Sequence, residues 1–404
     1  MLFGKNNQVQ EVANTQGSVK YSGMSGNEMY CASLLGYKPG DLLVGNSVFA
    51  MGFIGSLRSG ARTFVGGEIV TITNMIAEGR RLSLERFDKE LITATGVGAS
   101  GVTSELIFHP GNIEFLTVGS AMCHDQGQPG SFTTSADVQE LFCQWDAGYM
   151  PVSFVFGNVA YSIGFGRNLF GSIRQMARGE VKQFSNVFNT TRNLALNRII
   201  DEAKAKNSNS VVGIRTSILP IAGANGVQEM MMLGTASVNN SVSSLANSVG
   251  GVITSDLTAE ETWNVAKIGY APMKLLIGTS VYSLGVVGGV KAALKNYVKG
   301  EIGTLTNLIY GAREQSLNRV HEQAEQIGAD DVLGIKTYIY DLGGGLIEFL
   351  AIGTAVKKVD GIVTRSEQLP PQAIIRDKDT FVDTANAPYG TTLQKSNLPA
   401  GRFS

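Results

Sequence analysis

Gly36-Tyr37-Lys38-Pro39 recurs as Gly148-Tyr149-Met150-Pro151 and again as Gly269-Tyr270-Ala271-Pro272. With these three phrases superposed, and without a gap, Glu68, Glu180 and Glu301 fall into register. So do Asn74, Asn186 and Asn307, then Arg80, Arg192 and Arg313, then Arg86, Arg198 and Arg319. A closing phrase also repeats: Glu114-Phe115 before Gly119-Ser120-Ala121, Glu229-Met230 before Gly234-Thr235-Ala236, and Glu348-Phe349 before Gly353-Thr354-Ala355. A register held over that span in three copies defines three tandem repeats of one small domain. The repeat of about 110–120 residues is an ordinary domain size.

Each repeat spells out its own elements. Ser25, Asp137 and Thr258 precede Glu28, Glu140 and Glu261 at the spacing of a capping box, which opens a short helix. Tyr30, Phe142 and Trp263 hold one position inside it, and the Gly-Tyr-x-Pro phrase closes it, because glycine favours the C-terminal cap and proline cannot continue a helix. An apolar strand follows, interrupted by Gly45, Gly157 or Gly278, where the pattern predicts a bulge or tight bend before a second extended run. A helix of about 25 residues is predicted to begin at Glu68, Glu180 and Glu301, with the acid at the positive end of the dipole. Its apolar stripe reads Ile69, Ile72, Ile76, Gly79, Ser83, Phe87 and Leu91 in the first repeat. The small residues in that stripe permit close approach to another element. Two strands joined by a glycine-rich loop complete the unit, residues 211–218 with 227–236 and residues 332–340 with 346–354. The expected fold is α+β: three tandem repeats, each an antiparallel sheet with a long helix and one or two shorter ones.

The expected boundaries are an N-terminal segment over 1–22, units over 23–125, 131–240 and 252–360, and an extended tail over 361–404 rich in proline. Residues 126–130 and the Ser/Asn/Gly-rich 239–251 read as linkers.

The third repeat carries a further pattern: Ile327-Gly328-Ala329-Asp330-Asp331-Val332-Leu333-Gly334-Ile335 after a long helix, and Gly353-Thr354-Ala355-Val356 at the close. It resembles the YbjQ family, whose name carries a heavy-metal-binding label. The second repeat matches in Ser210-Val211-Val212-Gly213-Ile214 and Gly234-Thr235-Ala236, and the first is eroded to Gly98-Ala99-Ser100-Gly101-Val102 and Gly119-Ser120-Ala121. The resemblance implies a small α+β domain that assembles into rings, pentameric in family members, so that the implied partner of this chain is itself in a homo-oligomer.

Composition bears on function. Charged residues make up only 17% of the 404, against about 25% in typical soluble domains, while apolar residues make up 43%. A surface so poor in charge points to extensive cover by other protein. The net charge of −1 gives no general attraction to nucleic acid. Cys31, Cys123 and Cys143 form no framework and no CxxC pair, which fits a reducing cytoplasm. The start lacks a signal-peptide apolar run. Residues 147–166 and 275–290 are uncharged, yet their glycines and β-branched alternation read as buried strands rather than membrane spans.

Candidate chemistry is sparse. A soft-metal site needs converging Cys and His, and Cys31, Cys123, His124, Cys143, His109 and His321 do not recur at equivalent positions. No metal, cofactor or catalytic residue is therefore assigned. Arg80, Arg192 and Arg313 with Glu114, Glu229 and Glu348 are suited to an anion site or a catalytic pair. Without an accompanying nucleophile they read more simply as bridges between helix and sheet, or between neighbouring units. Gly164-Phe165-Gly166-Arg167 with Gly171 only loosely echoes a phosphate loop. Three acid-free stretches carry Arg58 and Arg62; Arg167, Arg174 and Arg178; and Lys291, Lys295 and Lys299, which suit an anionic membrane surface or the glutamates of a protein partner. The leading expectation is a non-catalytic, ring-forming scaffold. A small-ligand or metal-binding module is the alternative, and peripheral membrane binding the third.

Overall fold

The structure, a computed structural model, describes residues 19–50, 67–162, 179–221, 227–283, 303–343, 345–373 and 381–383. The basic positions Arg58, Arg62, Arg167, Arg174, Arg178, Lys291, Lys295 and Lys299, the glycine stretch 164–171, Glu301, and parts of both hairpin loops lie outside them.

The chain is three copies of one α+β unit. The first comprises helix α1 (Gly26–Leu34), strand β1 (Lys38–Ala50), the long helix α2 (Val70–Thr93) and the hairpin β2 (Gly98–His109) and β3 (Asn112–Cys123), followed by the short β4 (Phe132–Thr133). The second repeats this as α3 (Val138–Asp146), β5 (Met150–Ser162), the short β6 (Gly179–Glu180), α4 (Lys182–Ala205), β7 (Ser210–Pro220) and β8 (Val227–Val238). After α5 (Ser243–Ser248) and β9 (Ile253–Thr254), the third runs α6 (Ala259–Lys267), β10 (Tyr270–Ser283), α7 (Gly303–Gln326), β11 (Asp331–Gly343) and β12 (Leu346–Lys358). A last short strand, β13 (Phe381–Asp383), lies parallel to β7.

All three capping boxes form, with Ser25, Asp137 and Thr258 each accepting from the N3 amide and Glu28, Glu140 and Glu261 each reaching back. In every unit the second strand of the hairpin is central, paired antiparallel on both sides, so the orders are β1-β3-β2, β5-β8-β7 and β10-β12-β11. The first hairpin strand carries a bulge at one place in each unit, where Gly101, Gly213 and Gly334 adopt φ of +62°, +63° and +62°. A side chain there would be strained, which accounts for the invariant glycine of the repeat.

Three expectations need correction. Gly45, Gly157 and Gly278 mark no bulge, since β1, β5 and β10 run through them in continuous register and their irregularity lies near the proline. They are glycine because the long helix lies on the strand there: a Cβ would collide with the carbonyl oxygen of Ser83, Ala195 or Ser316. The acids Glu68 and Glu180 stand just outside the long helices, and arginines from the following unit engage them instead of the helix end. The stretch 239–251, expected as a linker, forms a 3-10 turn and α5, and it buries Val242, Leu245 and Ala246. The beginning of the proline-rich tail also packs: Ser366 N and Oγ donate to Asp146 at 3.0 and 2.6 Å, and Ala373 is buried between α1 and α3.

Candidate functional site: the joint between units

The outer face of each sheet, opposite its own helix, decides how units meet. β5 points Val155, Val159 and Tyr161 at its own helix α4 and turns Phe154, Asn158 and Ala160 the other way. These outer residues close over α2 of the first unit, in clusters with Phe87 and Leu91 at one end and Ile69, Ile72 and Ile76 at the other. β10 does the same with Leu275, Ile277 and Val281, which close over Phe184, Phe188, Ala195 and Ile199 of the second. A long helix is thus sandwiched between its own sheet and the next one, and this arrangement occurs twice.

Polar contacts repeat in the same register. Ala160 N donates to Thr73 Oγ1 (2.9 Å), and Val281 N donates to Ser185 Oγ (2.8 Å). Ile69 N donates to Ala160 O and Val181 N to Val281 O, each at 2.8 Å. Arg198 NH2 reaches Glu68 Oε1 at 2.6 Å, and Arg319 NH2 reaches Glu180 Oε1 at 2.5 Å.

At the centre of each joint is a buried ion pair. Arg192 Nε and NH2 donate to Glu348 Oε1 and Oε2 at 2.6 and 2.7 Å, both side chains being 1% exposed. The Arg192 guanidinium lies between the rings of Tyr161 and Tyr340, 5.3 and 5.5 Å from their centroids. Burial works against its charge, but Glu348 together with Tyr161 and Tyr340 holds the group above its ordinary value. The first joint is less complete. Arg80 NH2 donates to Glu229 Oε2 (3.0 Å) and NH1 to Ser104 O and Oγ (3.0 and 2.9 Å), while Arg80 Nε and Glu229 Oε1 have no hydrogen-bond partner among the described residues. In both joints an arginine on one unit meets the glutamate of the unit that follows it.

The same positions at the ends of the chain are unpaired by another unit. Glu114, on the outer face of the first sheet, is held by His109 Nε2 (2.7 Å) and Asn46 Nδ2 (3.3 Å), and its carboxyl sits below the usual range because of the His109 contact. Arg313 is exposed on α7, with no carboxylate among the described residues in ion-pair range. The hydroxyls of Thr73 and Ser185, each of which takes one backbone amide across the joint, escape notice in the sequence because threonine and serine align without identity.

The heavy-metal label is not matched by a donor set. Among the described residues no three His, Cys, Asp or Glu side chains gather to hold a metal ion. Cys31 and Cys143 are buried, and burial pushes the Cys31 thiol up to about 11 and Cys143 further in the same direction, the opposite of a metal-binding thiolate. His124 sits edge-on to Tyr37, its Nδ1 accepting from Gln126 N at 3.1 Å. No helix among the described residues is long and apolar enough to cross a membrane.

These joints define a class: a tandem-repeat α+β protein in which each unit's helix is clasped by the sheet of its successor. The profile of the YbjQ family, described as "Putative heavy-metal-binding", matches residues 149–240 and 261–359, and the chain belongs to that family. A UPF0145 protein of Lactobacillus gasseri is 31% identical over 108 residues, 27% of this chain and 100% of that protein. One from Archaeoglobus fulgidus is 36% identical over 83 residues, 20% of this chain and 77% of that protein. An encapsulin nanocompartment protein of Mycobacterium tuberculosis is 26% identical over 245 residues, 59% of this chain and 92% of that protein.

Proposed function

We propose that this chain is a non-catalytic, cytoplasmic, self-assembling structural protein whose three units supply the building blocks of a homo-oligomeric scaffold. One observation carries this reading: the outer sheet face that is buried at both joints within the chain is left bare on the first unit. Leu42, Val44 and Val48 are 44%, 44% and 57% exposed, whereas their counterparts in the third unit, Leu275, Ile277 and Val281, are each 0% exposed. Exposed apolar surface of this kind is what a monomer avoids and an assembly covers. The M. tuberculosis relative bears the name of a compartment-forming protein, which agrees with this reading. Units related by one repeated step build a ring where the rotation closes and an open array where it does not.

Electron microscopy of the purified, negatively stained protein tests the proposal. Regular particles much larger than one chain are expected. A field of single chains, or metal bound in stoichiometric amount to a monomer, would shift the reading to a ligand-binding module.

A further inference from the structure

The two joints within the chain are copies of one another, and among the described residues the first unit keeps one half of such a joint uncovered and the third unit keeps the other. On the first unit the acceptor half is open. Val48 lies directly across from Glu114, and Leu116, Val118, Val44 and Leu42 continue the same face away from it along β3 and β1. In the second and third units the corresponding faces are closed, with Glu229 and Glu348 at 0% exposure in their centres. On the third unit the donor half is open. Arg313 is exposed where Arg80 and Arg192 are buried, and Ile309 is half-buried where Ile76 and Phe188 are fully buried. On the neighbouring hairpin strand Ile335 and Ile339 are 47% and 51% exposed, whereas Ile214 and Ile218 at the same places in the second unit are 0% exposed. The short first helices agree: Tyr30 is 46% exposed on α1, while its counterpart Trp263 is 7% exposed and donates to Asp146 of the preceding unit.

We infer that α7 of one copy docks on the outer face of the first sheet of a second copy, Arg313 entering beside Glu114 as Arg192 enters beside Glu348. This rests on the self-assembly proposed above and names its interface. The halves match in charge, an arginine without an ion-pair partner among the described residues for a carboxylate held only by His109 and Asn46, and in polarity, with exposed apolar residues on each face. Thr306 stands on α7 where Thr73 and Ser185 stand on the earlier helices, which sets its hydroxyl against the Val48 amide of the partner copy. His109 and Asn46, which hold Glu114 in the single chain, yield to the stronger guanidinium when the partner arrives. The contact joins two different surfaces, so each chain offers one of each and the assembly runs head to tail.

Two single charge reversals test this in the full-length protein. Glu114→Arg blocks the acceptor half and Arg313→Glu blocks the donor half. Both residues lie outside the chain's own buried pairs, so each variant should still fold and melt cooperatively, below the wild type by no more than the lost assembly and the Glu114 contacts contribute. Light scattering should show wild type assembled and each variant alone at the mass of a single chain. An equimolar mixture should form species containing both variants, because the first still carries Arg313 and the second still carries Glu114. Variants that assemble like an oligomeric wild type, or a mixture that stays dissociated, would overturn this interface while leaving self-assembly standing. A wild type that is itself monomeric would overturn the proposed function as well.

Discussion

Arg192 of the second unit and Glu348 of the third, 156 positions apart in sequence, meet in a two-armed ion pair of 2.6 and 2.7 Å with no access to water. Neither charge is tolerable there without the other. Breaking such a pair by removing one partner costs about 3–5 kcal/mol, because the survivor stays buried and uncompensated. Glu348→Ala should therefore destabilise the chain by about that amount in a denaturant titration. Glu229→Ala should cost less, since Arg80 also donates twice to Ser104 and reaches Glu229 with one arm. Equal losses would show that the two joints are energetically alike despite their geometry.

Two glycines of the third unit should respond in opposite directions to alanine. At Gly278 the added methyl has no room against the Ser316 carbonyl, and the helix must lift away from the sheet. Gly278→Ala should cost about 1–3 kcal/mol, as overpacking does. A Cβ at Gly311, inside α7, meets nothing within 4 Å, so Gly311→Ala should gain roughly 0.5–1 kcal/mol from helix propensity. Thermal melts of the two variants compare them directly.

Stability should fall as pH rises from about 4.5 to 7. Burial pushes Glu202 up to about 7 against the Phe156 amide and Lys206, and it pushes Asp256 up to about 6 against Thr354 and Lys336. Each folded-state pKa lies above its unfolded value. In that window the native chain holds protons that the unfolded chain has released, so raising pH favours unfolding until the folded groups have also ionised. For Glu202 the difference corresponds to roughly 3 kcal/mol. Glu202→Gln should remove roughly half of the slope, the remainder belonging to Asp256, and raise stability at pH 8, because the amide oxygen can still accept from Phe156 N. Gln323 already occupies the matching place in the third unit, where its Nε2 donates to Ile277 O at 2.9 Å. Melting curves of wild type and variant between pH 5 and 8 give the answer, and parallel curves would contradict it.

Asp146 ties the tail to the second unit, accepting from Trp263 Nε1 (2.7 Å), Ser366 N (3.0 Å) and Ser366 Oγ (2.6 Å). Asp146→Ala leaves the indole N–H and the Ser366 amide without their acceptor, at a cost of about 1–3 kcal/mol. The residues around Ser366 should become open to protease in the variant and stay protected in wild type. Identical cleavage patterns would show that the tail is held by its other contacts.

Much of the unit is legible in the sequence, because the capping boxes, the helix stripe and the hairpin strands each declare themselves through local spacing. The register of the repeats also picks out Arg80, Arg192, Glu229 and Glu348. It does not say whether an arginine meets the glutamate of its own unit or of the next, since both lie at fixed distances in the repeat. Gly157 shows why periodicity alone misleads: a glycine inside a strand looks the same whether it serves a bulge or the passage of a helix. The stretch around Leu245 reads as a linker because its few apolar residues are outnumbered by serine and asparagine, although those few are the ones that pack. Tail contacts such as Ser366 on Asp146 depend on chain reversal across two units, which no local pattern encodes.

Native mass spectrometry of the wild-type chain at micromolar concentration tests the central claim most directly. The repeated joint, with one half exposed at each end, predicts a defined multiple of the 43.0 kDa chain and little free monomer. A spectrum dominated by the 43.0 kDa species would contradict the account, because the bare faces around Glu114 and Arg313 would then have no copy of the chain to cover them.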